Sequence, residues 1–123
     1  MIQFYCYARC STCKKAQRFL DEHEVRYEWK DIQNHNLTKE DFKALHETSG
    51  LPLRRLFNTS GKIYREMNLK DRLDDMDLDE AYELLSQHGM LVKRPILISE
   101  QHVFFGFKEE DYQKVIDDVK GNG

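Results

Sequence analysis

Cys10 and Cys13, in the run Cys10-Ser11-Thr12-Cys13, are the residues of this 123-residue chain whose type and spacing offer the most chemistry. The thiolate, not the thiol, is the nucleophile, and two cysteines at this spacing can pass between dithiol and disulfide. Cys10 falls where a short apolar run gives way to a helical pattern. Unpaired backbone N–H groups and the positive end of the helix dipole favour a negative sulfur there, lowering a thiol pKa from about 8.5 toward neutrality. Lys14 and Lys15 can add to the effect. The expectation is that Cys10 attacks and that Cys13, one turn on, displaces the adduct, with Ser11 and Thr12 as candidate substrate-binding residues in the same turn.

Other readings of these cysteines stay open. Cys13 can also be read as a small apolar residue on the buried stripe of the helix. A zinc site ordinarily needs four ligands, and His23, His35, His46, His88 and His102 show no paired ligand spacing, so no metal site is expected. Cys6 lies inside the preceding strand pattern, where inert packing is the better reading, and it is assigned no chemistry.

Lys93-Arg94-Pro95 is the second group of interest. Proline holds a cis peptide bond more cheaply than any other residue, and a tight entry into a strand is a usual place for one. Arg94 would then offer a fixed fork of donors to an anion beside Cys10, with Pro95 next to it in the substrate-binding set. A solvated charge or a structural ion pair is the alternative for Arg94. The acidic stretch from Lys70 to Glu80 lacks the glycine and closing glutamate of a calcium loop, and reads as a solvated helix cap.

The elements that must position these groups follow from periodicity. Ile2 to Tyr7 reads as a buried strand, and from Cys13 the positions Cys13, Ala16 and Leu20 make a helical stripe running to about Glu24. Val25 to Ile32 alternates Val25, Tyr27 and Trp29 against charged residues, so a second strand closes a βαβ unit. Thr38 and Asp41 predict a capped helix ending before Gly50, with Leu37 stapled onto Phe42, and Pro52 predicts the first turn of a short helix carrying Leu53, Leu56 and Phe57. A weaker helical segment from Lys62 to Leu69 rests on Ile63 and Met67, and Asp77 with Glu80 predicts a capping box for a helix with the stripe Leu78, Ala81, Tyr82 and Leu85, ended by Gly89. Ile96-Leu97-Ile98 and Val103-Phe104-Phe105 predict an antiparallel hairpin. After Gly106 comes a last helix burying Tyr112, Val115, Ile116 and Val119, then a frayed tail from Gly121 to Gly123. The expected fold is therefore α/β and thioredoxin-like, βαβ then ββα, in a single domain over residues 1–123, with a helical subdomain inserted at about 37–90.

Composition limits the partners. The chain is 33% charged residues with a formal net charge of -3 and interspersed signs, so direct attraction to nucleic acid is not expected. No apolar run approaches the roughly 20 residues that span a bilayer, and the start Met1-Ile2-Gln3-Phe4 carries no export signal pattern, so a cytoplasmic location and no membrane association are expected. Three cysteines crowded into the first strand and helix point to reactivity in a reducing compartment rather than to a disulfide framework.

Tyr5-Cys6-Tyr7-Ala8-Arg9-Cys10-Ser11-Thr12-Cys13-Lys14-Lys15-Ala16, Phe57-Asn58-Thr59-Ser60-Gly61, Met90-Leu91-Val92-Lys93-Arg94-Pro95 and Gly106-Phe107 together resemble the arsenate reductase-like family, which includes the Spx regulators. The resemblance runs from about Ile2 to Val119. It implies a thioredoxin fold with a helical insertion, a cis bond at Arg94-Pro95 and a reactive Cys10. For an arsenate reductase it further implies a small oxyanion substrate held by three arginines, and glutathione with glutaredoxin, or thioredoxin, as reductant, with no bound cofactor. Arg94 matches one of those arginines. The others fall near Asn58, a further candidate substrate-binding residue with Arg54 and Arg55 displaced from it, and near Gly106 and Phe107. Cys13 resembles the second cysteine of the regulator branch, whose dithiol–disulfide switch controls binding to RNA polymerase. Two functions follow as expectations: a thiol-dependent oxidoreductase acting on an oxyanion or disulfide, or a redox-sensing regulator.

Overall fold

In chain order the elements are β1 (Ile2–Cys6), α1 (Ser11–Glu22), β2 (Tyr27–Asp31), α2 (Lys39–Ser49), α3 (Lys62–Glu66), α4 (Leu69–Arg72), α5 (Leu78–Gln87), β3 (Ile96–Ile98), β4 (Val103–Phe105) and α6 (Glu109–Gly121). They are those of a computed structural model that describes residues 2–121. Two compact units result, one from the described residues of Met1–Asp31 and Arg94–Gly123, the other from Ile32–Lys93.

The first unit holds the four-stranded sheet, in the order β2-β1-β3-β4. β1 pairs parallel with β2, with Phe4 opposite Trp29, and antiparallel with β3, which pairs antiparallel with β4. This is a mixed α/β sheet of the thioredoxin-like kind. Side chains alternate across a strand, so Ile2, Phe4 and Cys6 share one face of β1. All three join a core with Cys13, Ala16 and Leu20 of α1, Leu97 of β3, and Tyr112, Val115 and Ile116 of α6. The turn into α6 is fixed by Gly106, at φ 92°, whose N–H donates to the Pro95 carbonyl at 2.8 Å and whose own carbonyl accepts the buried Tyr112 hydroxyl at 3.0 Å. Only a residue without a Cβ takes that backbone angle readily.

Two expectations about this unit's core change. Trp29 is 41% exposed because β2 is the sheet edge, with a neighbouring strand on one side only. Val119 is 45% exposed, and there α6 has run beyond the core that buries Tyr112, Val115 and Ile116. Of the expected tail, Gly121 is the last residue of α6, and Asn122 and Gly123 lie outside the described residues.

The second unit is helical. Thr38 caps α2 as the sequence predicts: its hydroxyl accepts the Asp41 N–H at 3.1 Å, and the Asp41 carboxylate accepts the Thr38 N–H at 2.9 Å. Gly50 closes α2 in the left-handed conformation. Pro52 stands one place ahead of a 3₁₀ turn, Leu53–Leu56, not inside it. The segment read as one weak helix is two, α3 and α4, separated at Asn68, and it buries Tyr64 and Leu69 while Ile63 and Met67 stay half-buried. Asp77 precedes α5 without a side-chain capping bond, and the Glu80 carboxylate, which the box would turn back to the Asp77 N–H, lies 3.5 Å from Arg72 instead. Leu78, at the first position of α5, is 50% exposed. His35 is buried with both ring nitrogens engaged, Nδ1 accepting the Leu37 N–H at 2.7 Å and Nε2 donating to the Leu85 carbonyl at 3.1 Å.

Gly89 does not terminate α5 as a left-handed cap. It opens a 3₁₀ turn, Gly89–Leu91, where an added Cβ would overlap the Ile32 carbonyl oxygen and press to 2.9 Å against Gln33 Cα. Backbone cannot yield as a side chain tip can. Gly89→Ala should therefore destabilise the chain by about 1–3 kcal/mol, more than the ~1 kcal/mol expected for Thr38→Ala at the α2 cap. Urea unfolding of both variants checks the order, and a Gly89→Ala curve that overlies the parent contradicts the close-approach reason.

Candidate functional site

Cys10 is the N-cap of α1, which begins at Ser11, two residues before the predicted start. Its backbone is extended, at φ -91° and ψ 121°, and its side chain forms no capping bond. The Cys10 N–H donates to the Tyr7 carbonyl at 3.0 Å and the Cys10 carbonyl accepts the Lys14 N–H at 3.1 Å, so a tight turn joins β1 directly to α1. Ser11 is exposed and Thr12 half-buried on the first turn, where helix N–H groups have no carbonyl one turn earlier to bond. All three cysteines are free: Cys10 is half-buried, and Cys6 and Cys13 are buried.

The hydrogen bonds of the site converge on Cys13. A thiol from Cys6 donates to its sulfur, and burial opposes ionisation. The Tyr7 N–H donates to Cys13 Sγ at 3.5 Å, and the Cys10 thiol and the Arg94 charge add to the stabilisation. The donors prevail over burial, and the Cys13 pKa falls from its ordinary 9.0 to about 6. Cys6 moves the opposite way, held protonated well above the usual thiol range by its bond to Cys13, by burial, and by the charges of Cys13 and Cys10.

Arg94 enters from the chain ahead of β3. Its guanidinium lies 5.1 Å from the centre of the Tyr7 ring, a cation–π distance, and its charge reaches Cys13. The Arg94-Pro95 peptide is cis, and Pro95 is buried. A cavity of about 300 Å³ beside the sulfurs is lined by Cys6, Tyr7, Cys13, Lys14, Gln17 and Trp29, among others. Trp29, expected on the buried face, instead forms part of this opening.

Cys10, Ser11, Thr12, Cys13, Arg94 and Pro95 thus all lie in the sheet-bearing unit. Asn58 belongs to the helical unit, where its N–H donates to the Leu91 carbonyl at 2.8 Å and its carbonyl accepts the Gly61 N–H at 3.0 Å. Arg54 is engaged there too, donating to the Tyr64 hydroxyl at 2.6 Å and to Asp74 at 3.0 Å. Reading the sequence missed Cys6 and Tyr7. The signal for Cys6 was strand parity, which puts it with Phe4 on the face that meets α1. Tyr7 acts through a backbone N–H, which no residue type advertises. Among the described residues no group of three or more His, Cys, Asp or Glu side chains is placed to hold a metal ion, and no helix is long and apolar enough to cross a membrane.

Residues 5–115 match the model of the ArsC family. The chain belongs to the ArsC family. It is 45% identical to the uncharacterized protein YusI of Bacillus subtilis, over 92% of this chain and 96% of YusI. It is 28% identical to the global transcriptional regulator Spx 2 of Bacillus cereus, over 94% of this chain and 87% of that protein. The crystal structure of a possible arsenate reductase from Streptococcus mutans superposes with a TM-score of 0.84 at 40% identity, covering 92% of this chain and 98% of the other. Both the arsenate reductase-like resemblance and the Spx resemblance are thus carried by nearly the whole length of this ArsC-family chain.

The electrostatics of Cys13 set a pH dependence. Its folded pKa, about 6, lies below its ordinary 9.0, so between those values the unfolded chain binds the extra proton. Stability of the reduced protein should therefore climb as pH rises from about 6 toward 9, and this contribution should be lost as pH falls through 6. Ultraviolet thiolate absorbance should show a titration near pH 6 that Cys13→Ser removes and Arg94→Gln moves upward. An unchanged titration in Cys13→Ser would assign the ionised sulfur elsewhere.

Proposed function

We propose that this ArsC-family protein is a thiol-dependent oxidoreductase in which Cys10 attacks a small disulfide or oxyanion and Cys13 resolves the adduct. The observation that carries the reading is the stabilised Cys13 sulfur next to the half-buried Cys10. A buried thiol with no such support is a poor attacking group, whereas a resolving sulfur with a pKa near ambient pH is close to the optimum for thiol–disulfide exchange.

For a disulfide R–S–S–R, the Cys10 thiolate attacks one sulfur, forming Cys10–S–S–R and releasing R–S⁻. Cys13 then attacks the Cys10 sulfur, the Cys10–Cys13 bond forms, and the second R–S⁻ leaves. Two electrons pass from the dithiol to the substrate, and both R–S⁻ groups take protons from solvent. For an oxyanion such as arsenate, the same two electrons reduce the central atom after it has bonded to Cys10 with loss of an oxygen as water. Arg94 steadies the developing negative charge in both cases. A low-molecular-weight thiol such as glutathione, with glutaredoxin, or thioredoxin returns the Cys10–Cys13 disulfide to the dithiol.

A second reading follows from the likeness to Spx 2 over 94% of this chain: a regulator whose Cys10–Cys13 disulfide alters a binding surface, with RNA polymerase as its partner. Turnover separates the two. With an aromatic disulfide or arsenate as substrate and glutathione–glutaredoxin or thioredoxin as reductant, Cys10→Ser should lower turnover at least ~100-fold, while Cys13→Ser should accumulate the Cys10 mixed disulfide seen by mass spectrometry. Equal rates in Cys10→Ser and parent reject the nucleophile. Absent turnover, with oxidation-dependent capture of RNA polymerase, selects the regulator.

A further inference from the structure

We infer that Cys6 is a positioning residue, whose S–H donates to Cys13 Sγ from the end of β1 and holds the resolving sulfur ready to attack. The inference rests on the Cys10–Cys13 chemistry proposed above and assigns a role to the one cysteine that this chemistry leaves idle.

Geometry comes first. Cys6 is 1% exposed and Cys13 2% exposed, and both belong to the core between the sheet, α1 and α6. Strand parity sends Cys6 to the same face as Ile2 and Phe4, which is the face α1 covers. The next residue, Tyr7, donates its N–H to Cys13 Sγ with the nitrogen 3.5 Å away, so Cys6 and the residue after β1 bring two donors against that one sulfur. Both cysteines also line the same cavity.

The surroundings leave Cys6 as the donor of the pair. The titratable and charged groups around the two sulfurs are Cys10 at the α1 cap, Lys14 of α1, Tyr7 after β1, Tyr27 and Asp31 of β2, the latter opposite Cys6 in the parallel pair, Arg94 ahead of β3 and Tyr112 of α6. Arg94 acts on Cys13, and Tyr112, buried and held protonated, is no base for the Cys6 proton. Ionising both buried sulfurs together would set like charges side by side in a low-dielectric core. One proton therefore stays between them, and it stays on Cys6 because Cys13 collects the remaining donors.

The chemical consequence is specific. Cys13 forms its bond to Cys10 and expels R–S⁻ while Cys6 keeps its proton throughout. In the disulfide state the Cys13 sulfur is no longer an anion, and the Cys6 bond weakens. The Cys6 donor thus favours the reduced form, as any group that stabilises the reduced thiolate does, and makes the Cys10–Cys13 pair more oxidising.

The test uses the full chain with Cys6→Ala, which removes the donor, and Cys6→Ser, which restores one through oxygen. Cys13 ionisation is followed by the pH dependence of its ¹³Cβ chemical shift in a Cys10→Ser background. Redox equilibrium is measured with Cys10 intact against a reference dithiol. Cys6→Ala should raise the Cys13 midpoint by about one pH unit and shift the redox equilibrium about tenfold toward disulfide, which is ~30 mV for a two-electron couple. Cys6→Ser should recover most of both. The inference is overturned by a Cys13 midpoint that does not move in Cys6→Ala, or by Ser and Ala variants that shift alike. If the midpoint moves as expected while no Cys10–Cys13 disulfide forms in the parent at any dithiol ratio, Cys6 keeps its donor role and the oxidoreductase reading fails by itself.

Discussion

Keeping charge on a sulfur that is almost wholly withdrawn from water is the constraint that organises this site. A buried anion without donors would take up a proton, since burial penalises the charged form. Cys13 escapes because two successive residues deliver donors to one point. β1 ends at Cys6, which donates through its side chain, and Tyr7 just after it donates through its backbone. The short turn closed by the bond from Cys10 N–H to the Tyr7 carbonyl then swings the chain into α1, so that the helix sets Cys13 back against the strand it has just left. Lengthening that turn would separate the donors from the sulfur. The parallel strand-helix-strand arrangement is therefore the structural cause of the electrostatics and more than a scaffold on which the cysteines sit.

The two cysteines of the motif divide their work by exposure. Cys10, at the cap, is half-buried and meets whatever approaches the helix terminus. Cys13 is enclosed, so it can react with the Cys10 sulfur without competing for solutes. Arg94, carried in beside buried Pro95 at the entry to β3, supplies a guanidinium whose charge is felt at Cys13, and the Tyr7 ring lies 5.1 Å from it. A hairpin distant in sequence and a turn near the N-terminus thus meet through a cation and an aromatic face.

Much of this was legible from residue order. The α1 stripe, the Thr38–Asp41 box, the Gly50 terminus and the hairpin from Ile96 to Phe105 all depend on local patterns, and local patterns survive folding where nothing competes with them. The failures have competitors that can be named. Glu80 was expected to cap α5 and instead meets Arg72; Trp29 was expected inside and lies on the sheet edge; Gly89 was expected to cap a helix and is instead a point of close backbone approach. At the site, residue types singled out Cys10, Cys13 and Arg94, and the fold places all three in the sheet-bearing unit. Which sulfur the donors favour was beyond reach, because that depends on a thiol judged inert for being buried and on a peptide N–H.

Charge balance bears on the substrate. An oxyanion with two or more negative charges calls for several cations, and the two places where the resemblance implies further arginines fall near Asn58 and near Gly106 and Phe107. Arg54, a neighbour of one of these positions in sequence, is committed to Tyr64 and Asp74. A disulfide is neutral when it binds and develops a single negative charge on the departing sulfur. Arg94 beside the Tyr7 ring, with Lys14 in the cavity lining, suits that smaller demand. The cavity wall formed by Trp29 and Gln17 offers an aromatic face and an amide, groups suited to the uncharged body of an organic disulfide and of little use to a compact, hydrated oxyanion. Within the proposed oxidoreductase chemistry, an enclosed resolving sulfur beside a cavity with a half-exposed tryptophan in its wall fits a disulfide better than a compact oxyanion.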